Sequence, residues 1–227
     1  MNDLSSQFRR FYTSLLPQKL RHYGETAIRG RYPRIFDKEK FIFIHIPKTA
    51  GKSLTKVLGS GGACHLSWRH YQAILEEKIE SYYVFTIVRD PVDRLISSYT
   101  YMKSGGNRSI EDLKIKRDWI DRFNTFDEFV KESLSKPNVI ASRKFRPQTT
   151  FLENKEGHIE QQINIFRFES LQRAYQEISK QLKIKKPLPH VNSSNREHGF
   201  NISPESAKII NEIYNRDFEN LNYRLIN

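Results

Sequence analysis

The sequence predicts an α/β fold: a parallel sheet flanked by helices, with a phosphate-loop-like turn leaving one strand. Three observations carry the prediction. Short apolar runs rich in β-branched and aromatic residues recur at 41–46, 82–88 and 163–168, and each reads as a strand. Segments of helical period separate these runs. Strands that alternate with helices run parallel, because each crossover brings the chain back to the same end of the sheet.

Residues 1–40 read as a basic arm with one helix, in which Arg9, Arg10, Lys19, Arg21, Arg29, Arg31 and Arg34 gather, and 41–227 as a single domain. Strand 41–46 leads through a turn into a helix over 51–58. Gly59, Gly61 and Gly62 then break the chain, and a helix over 68–79 precedes strand 82–88. Pro91 suits the first turn of a helix that runs to Met102, with Leu95, Ser98 and Met102 near one face. Gly105-Gly106-Asn107 is a loop. Residues 109–135 read as helical, with Thr125 as an N-cap, and 136–160 as irregular and polar. After strand 163–168, Leu171, Ala174, Tyr175, Ile178 and Leu182 stripe one face of a helix over 169–182. A loop at 183–203 ends at Ser203-Pro204, which starts a last helix reaching Tyr214. Ligands of such sheets bind beyond the strand C-termini.

Composition narrows the function classes. A chain of 227 residues can bury the core of one enzyme domain. No apolar run approaches the ~20 residues needed to cross a bilayer, and the mixed stretch Phe11 to Leu16 is too short for a signal sequence. The single cysteine, Cys64, excludes an internal disulfide and fits a reducing, cytoplasmic compartment. The net charge is 38 − 26 = +12, which suits nucleic acid, an anionic membrane surface or an acidic glycan. No nucleic-acid reader motif accompanies it, so nucleic acid is the weakest of the three.

The stretch Phe41-Ile42-Phe43-Ile44-His45-Ile46-Pro47-Lys48-Thr49-Ala50-Gly51-Lys52-Ser53-Leu54 carries the chemistry. A buried strand delivers the chain to a tight turn and a helix start, where backbone N–H groups and the helix dipole favour an anion. Lys48 and Lys52 add charge, and Thr49 and Ser53 add hydroxyls. Gly51-Lys52-Ser53 is half of an NTPase phosphate loop, but Ile46 stands where that pattern needs its first glycine. In favour of an NTPase or kinase, the strand ending at Asp90 imitates a magnesium-binding acidic strand. Against it stand Arg89 before Asp90 and Pro91 after it.

Pro47-Lys48-Thr49-Ala50-Gly51-Lys52-Ser53-Leu54 resembles the 5′-phosphosulfate loop of sulfotransferases, most closely the carbohydrate group that includes heparan sulfate 2-O- and 6-O-sulfotransferases. Lys52 departs from the Thr or Ser more usual there. Arg89 and Ser97, eight residues apart across a strand end and a helix, resemble the 3′-phosphate motif of the same enzymes. The resemblance implies the sulfotransferase fold and a sulfuryl donor, 3′-phosphoadenosine-5′-phosphosulfate, held by Lys48, Thr49, Ala50, Gly51, Lys52, Ser53, Leu54, Arg89 and Ser97. Segments around Phe166–Leu171, Pro189–Ser194 and Ile213–Phe218 extend it to residues 41–225, and imply that Asn192, Ser193, Ser194 and Arg196 touch the nucleotide. The animal relatives are mostly Golgi membrane proteins, so the Golgi lumen is the alternative compartment if this chain is part of a longer one.

Transfer to a hydroxyl needs a base, and Ala63-Cys64-His65-Leu66-Ser67-Trp68 resembles the histidine segment after the first helix in these enzymes. The resemblance makes His65 the base and Lys48 the group that takes up charge as the sulfuryl group leaves. His70 reads as a helix-surface residue and His45 as a structural one. The histidines and Cys64 lack metal-ligand spacing, so no metal is expected. Lys103, Arg108, Lys114, Lys116, Arg117, Arg143, Lys144 and Arg146 make 103–160 basic, which suits a hydroxylated anionic glycan or glycolipid acceptor; Gln148 stands where the enzymes it resembles often carry a substrate-side glutamine, and the resemblance implies that role. A non-catalytic anion- or glycan-binding module is the remaining alternative.

Overall fold

The run Phe41-Ile42-Phe43-Ile44 is apolar on both faces, so it can only be a strand covered on both sides. In the computed structural model, which describes residues 32–61, 65–189 and 200–227, it forms β1 (Phe41–Ile44), with all four residues buried. β2 (Tyr83–Val88) pairs with it in parallel, Phe41 opposite Tyr83 and Ile44 opposite Thr86. β3 (Asn164–Arg167) pairs in parallel on the other side of β2, Phe85 opposite Asn164 and Val88 opposite Arg167. The order is therefore β1-β2-β3.

The first crossover holds α2 (Gly51–Leu58) and α3 (Trp68–Leu75); α1 (Arg34–Glu39) precedes β1. The second crossover opens with α4 (Pro91–Lys103). The segment 109–135 is not one helix. It breaks into α5 (Ile110–Ile115), a π turn over Lys116–Ile120, α6 (Phe126–Phe129) and a second π turn over Val130–Leu134. Thr125 does cap α6, accepting the N–H of Glu128 at 3.1 Å. Two short helices, α7 (Pro137–Ile140) and α8 (Thr149–Leu152), order the stretch expected to be irregular. Four residues are too few to show a helical period, so the sequence hides them. After β3 come α9 (Leu171–Gln181), α10 (Pro204–Ile213) and α11 (Asn215–Asn220). Ser203 caps α10 by accepting the N–H of Ser206 at 3.2 Å, and its own N–H donates to Asp127 at 2.8 Å.

Two apolar clusters result. One surrounds the sheet, with Phe43, Phe85, Trp68, Tyr71 and Ile178 in it. The other lies among α4, α6, α10 and α11, with Tyr99, Phe126, Phe129, Phe145, Tyr214 and Phe218. The region after α4 thus has a packed core of its own. Among the described residues no helix is long and apolar enough to cross a membrane. The basic arm up to residue 31 lies outside the described residues.

Candidate active site

β1 stops at Ile44, two residues earlier than its apolar run, and His45, Ile46 and Pro47 continue as buried backbone. Lys48 (φ 71°) and Ala50 (φ 68°) then adopt the left-handed conformation that only a few per cent of non-glycine residues take. Such reversals turn successive N–H groups toward one point, an anion-binding concavity. Thr49 anchors the turn from within: it is fully buried, and its hydroxyl donates to Ile46 O at 2.9 Å. The N–H groups of Ser53 and Leu54 close onto Ala50 O at 3.1 and 3.3 Å, and the Leu54 side chain lies in the core. The N–H groups ahead of them precede the helical ladder and face the mouth of the turn. Gly51 is there for space: a Cβ would fall 1.6 Å from Nε2 of His45, whose ring packs directly on it.

Arg89 follows β2 and brings a buried guanidinium to the same end of the sheet. The guanidinium stacks over Phe168 at 4.5 Å, pairs with Asp93 at 3.9 Å and donates to Lys48 O at 3.5 Å. It therefore touches the turn at 47–53 itself. Asp90, the residue that imitates a magnesium ligand, caps α4 by accepting the N–H groups of Val92 (2.9 Å) and Asp93 (3.0 Å). Its own N–H donates to Glu169 at 2.8 Å. Ser97 sits half-buried one turn beyond Asp93, with Tyr101 a further turn on, so the three share a face of α4.

Tyr101 is the residue that sequence reasoning missed. Its ring has Lys48 Nζ at 4.2 Å, Lys144 Nζ at 5.1 Å and Lys52 Nζ at 5.7 Å. The i, i+4 step from Ser97 was its only signal. Lys144 is fixed by Asp112 at 3.2 Å, and Asp112 in turn accepts the N–H of Asn107 at 2.9 Å. Burial, reinforced by Lys52, Arg89 and Lys144, lowers the Lys48 ammonium to about 8. Of the other cations expected to line the region, Lys116 pairs with Asp121, Arg117 with Asp118 and Arg143 with Glu111.

His65 approaches from the far side of the glycine break, in a left-handed conformation (φ 47°). Its ring centroid lies 4.3 Å from that of His45, and its Nδ1 lies 3.0 Å from His45 O. A carbonyl only accepts, so neutral His65 carries its proton on Nδ1 and keeps a lone pair on Nε2. Burial lowers its pKa to about 4. The His45 carbonyl opposes this, and Arg143, Lys144 and Arg146 add to it. His45 is buried on Phe43 (5.5 Å), and desolvation pushes its imidazole well below the usual range. His70 is half-buried, and its Nδ1 accepts the N–H of Ser67 at 3.1 Å in a capping box at the start of α3.

Gln148 does not face a substrate. It is fully buried, and its carboxamide bonds the Arg89 backbone, from Arg89 N to Oε1 (2.9 Å) and from Nε2 to Arg89 O (2.8 Å). Asn192, Ser193, Ser194 and Arg196 lie outside the described residues, as does Cys64. No group of three His, Cys, Asp or Glu side chains suited to a metal gathers among the described residues.

No curated protein and no solved structure matches this chain significantly. One family does: the sequence pattern described as the sulfotransferase family matches residues 33–224. The match spans the turn at 47–53, the strand end at Arg89 and the helices behind both, and a parallel sheet flanked by helices carries them. By this match over most of its length, the chain belongs to the sulfotransferase family and is a transferase of sulfuryl groups.

Proposed function

We propose that the protein moves a sulfuryl group from 3′-phosphoadenosine-5′-phosphosulfate to a hydroxyl of an anionic, carbohydrate-type acceptor, with His65 as the base. The observation that carries this reading is the Nδ1 contact of His65 with His45 O, which leaves a neutral Nε2 lone pair beside a cluster of cations. The donor set suits the nucleotide. Lys48, Lys52 and the N–H groups at the start of α2 fit a phosphosulfate, and the Arg89 fork with Ser97 fits a 3′-phosphate. Ala50, Gly51 and Ser53 contribute backbone and hydroxyl donors to the same mouth. The donor supplies the activated sulfuryl group. Nε2 takes the acceptor proton as the acceptor oxygen bonds to sulfur, and Lys48 neutralises the phosphate oxygen as its bond to sulfur breaks. Lys144 and Arg146, whose charges act on His65, support an acceptor bearing carboxylate or sulfate groups. Residues 41–227 act as one catalytic domain, the single cysteine supports a cytoplasmic compartment, and the overall charge supports contact with an anionic membrane surface.

Calorimetric titration with 3′-phosphoadenosine-5′-phosphate, with ATP and magnesium as the control, tests the donor assignment. Binding of the bisphosphate at micromolar concentration or tighter is expected. Arg89→Ala weakens it about 10–100-fold through loss of a charge-assisted bidentate contact. Preference for magnesium-ATP would move the chain to the NTPases; Asp90 speaks against that outcome, since its carboxylate is committed to the α4 cap.

The pH profile follows from the two shifted groups. His65 is a base only when neutral, so kcat/KM rises as pH passes about 4. Lys48 holds an anion only when protonated, so kcat/KM falls as pH passes about 8. Initial rates from about pH 3 to 10 at subsaturating donor check both limbs; a profile still rising at about pH 9 would remove Lys48 from this role.

A further inference from the structure

We infer that Gln148 is the positioning residue that sets Arg89 for a 3′-phosphate, and that Asp217 of α11 holds Gln148 in place. The inference rests on the reading of Arg89 as the 3′-phosphate contact and adds the machinery that fixes it. The last β2–β3 pair is Val88 with Arg167, so Arg89 is the first residue beyond that ladder, and its N–H and C=O lie where the paired strands end. A loop residue at that point would be free to rotate about its backbone. The Gln148 carboxamide satisfies both groups at once, at 2.9 and 2.8 Å, as a neighbouring strand would, and fixes the direction in which the Arg89 side chain departs.

Gln148 is itself locked. The Asp217 carboxylate accepts the N–H of Gln148 at 2.7 Å, the N–H of Thr149 at 2.9 Å and Nε2 of Gln148 at 3.4 Å. Gln148 and Asp217 are both fully buried. Arg94, a wholly buried guanidinium on α4 that donates to Arg146 O at 2.5 Å, favours the ionised form of Asp217, while burial pushes its carboxyl up. A carboxylate is kept in the interior here although burial works against its charge. It orders two successive peptide groups and one side chain, and that side chain is the one that bonds the Arg89 backbone. Placement matters because a bidentate, charge-assisted bond to a phosphate depends on the orientation of the guanidinium fork.

The test compares two nucleotides that differ by the 3′-phosphate alone. The ratio of dissociation constants for adenosine 5′-phosphate and 3′-phosphoadenosine-5′-phosphate is measured for the wild type and for Gln148→Met, which keeps length and volume but forms neither hydrogen bond. The wild type favours the bisphosphate. In Gln148→Met the ratio falls about tenfold or more, while adenosine 5′-phosphate binds within about twofold of the wild type. An unchanged ratio, or an equal loss for both nucleotides, would overturn the inference, since a merely structural residue moves both ligands together. If the wild type itself shows no preference for the bisphosphate, the Arg89 assignment falls first and the inference with it. Should Gln148→Met fail to fold, Asp217→Asn gives a second reading. It keeps the shape and one acceptor, and the ratio falls in the same direction by a smaller factor; a ratio equal to the wild type's would again overturn the inference.

Discussion

Replacing His65 with asparagine lowers kcat by about 10²–10⁴-fold, the range of a lost general base. Asparagine tolerates the left-handed backbone found at this position, so the substitution removes the imidazole without the strain that most side chains would suffer there. The affinity for 3′-phosphoadenosine-5′-phosphate stays within about threefold, because His65 contacts the turn through His45 and not through the nucleotide donors. Single-turnover rates beside a binding titration separate the two quantities. Rates that survive would place the base elsewhere. A parallel loss of binding would make the ring a support for the turn, and a wild type with no turnover at all would favour an anion-binding module.

Gly51→Ala is the second large effect, and it comes from crowding rather than chemistry. The new methyl would enter the space of the His45 ring, 1.6 Å from Nε2 and 2.0 Å from Cδ2. Both partners are buried, and the ring is wedged between Phe43 and His65. The expected cost is about 3 kcal/mol, with loss of bisphosphate binding because the start of α2 must shift. His45→Ala removes the obstacle, so the double variant is more stable than the sum of the single changes predicts by about 2 kcal/mol. Urea unfolding of the four proteins in the cycle measures this coupling. A Gly51→Ala protein within about 0.5 kcal/mol of the wild type would show that the turn is pliable.

The parts of the fold that read clearly from sequence are those where period and punctuation agree. The three strands, the helices at 51–58 and 91–103, and the caps at Thr125 and Ser203 stand where apolar runs, Pro91 and hydroxyl residues put them. The part of the second crossover beyond α4 did not read, because its helices are four to six residues long, two of them running into π turns, and its apolar positions serve a cluster shared with distant α10 and α11. The site shows the same division. Lys48, Gly51, Arg89 and His65 stand within local motifs. Tyr101 and Lys144 are 43 residues apart and meet only through the packing of that second core. The resemblance to related enzymes puts Gln148 on the substrate side, and nothing local in the sequence marks it as buried. Its burial depends on Asp217, 69 positions away.

The Tyr101 ring, with three ammonium groups around it, has a consequence for the protein as a material. Gathering like charges in a partly buried mouth works against folding, and the repulsion is greatest when no anion is present. Polyanions that enter the mouth oppose that repulsion and bind the folded chain alone, so occupancy and resistance to unfolding are linked. The ligand-free enzyme is therefore the fragile form. If the mouth takes the nucleotide proposed above, the protein's lifetime in a cell follows the supply of that nucleotide as well as its own packing.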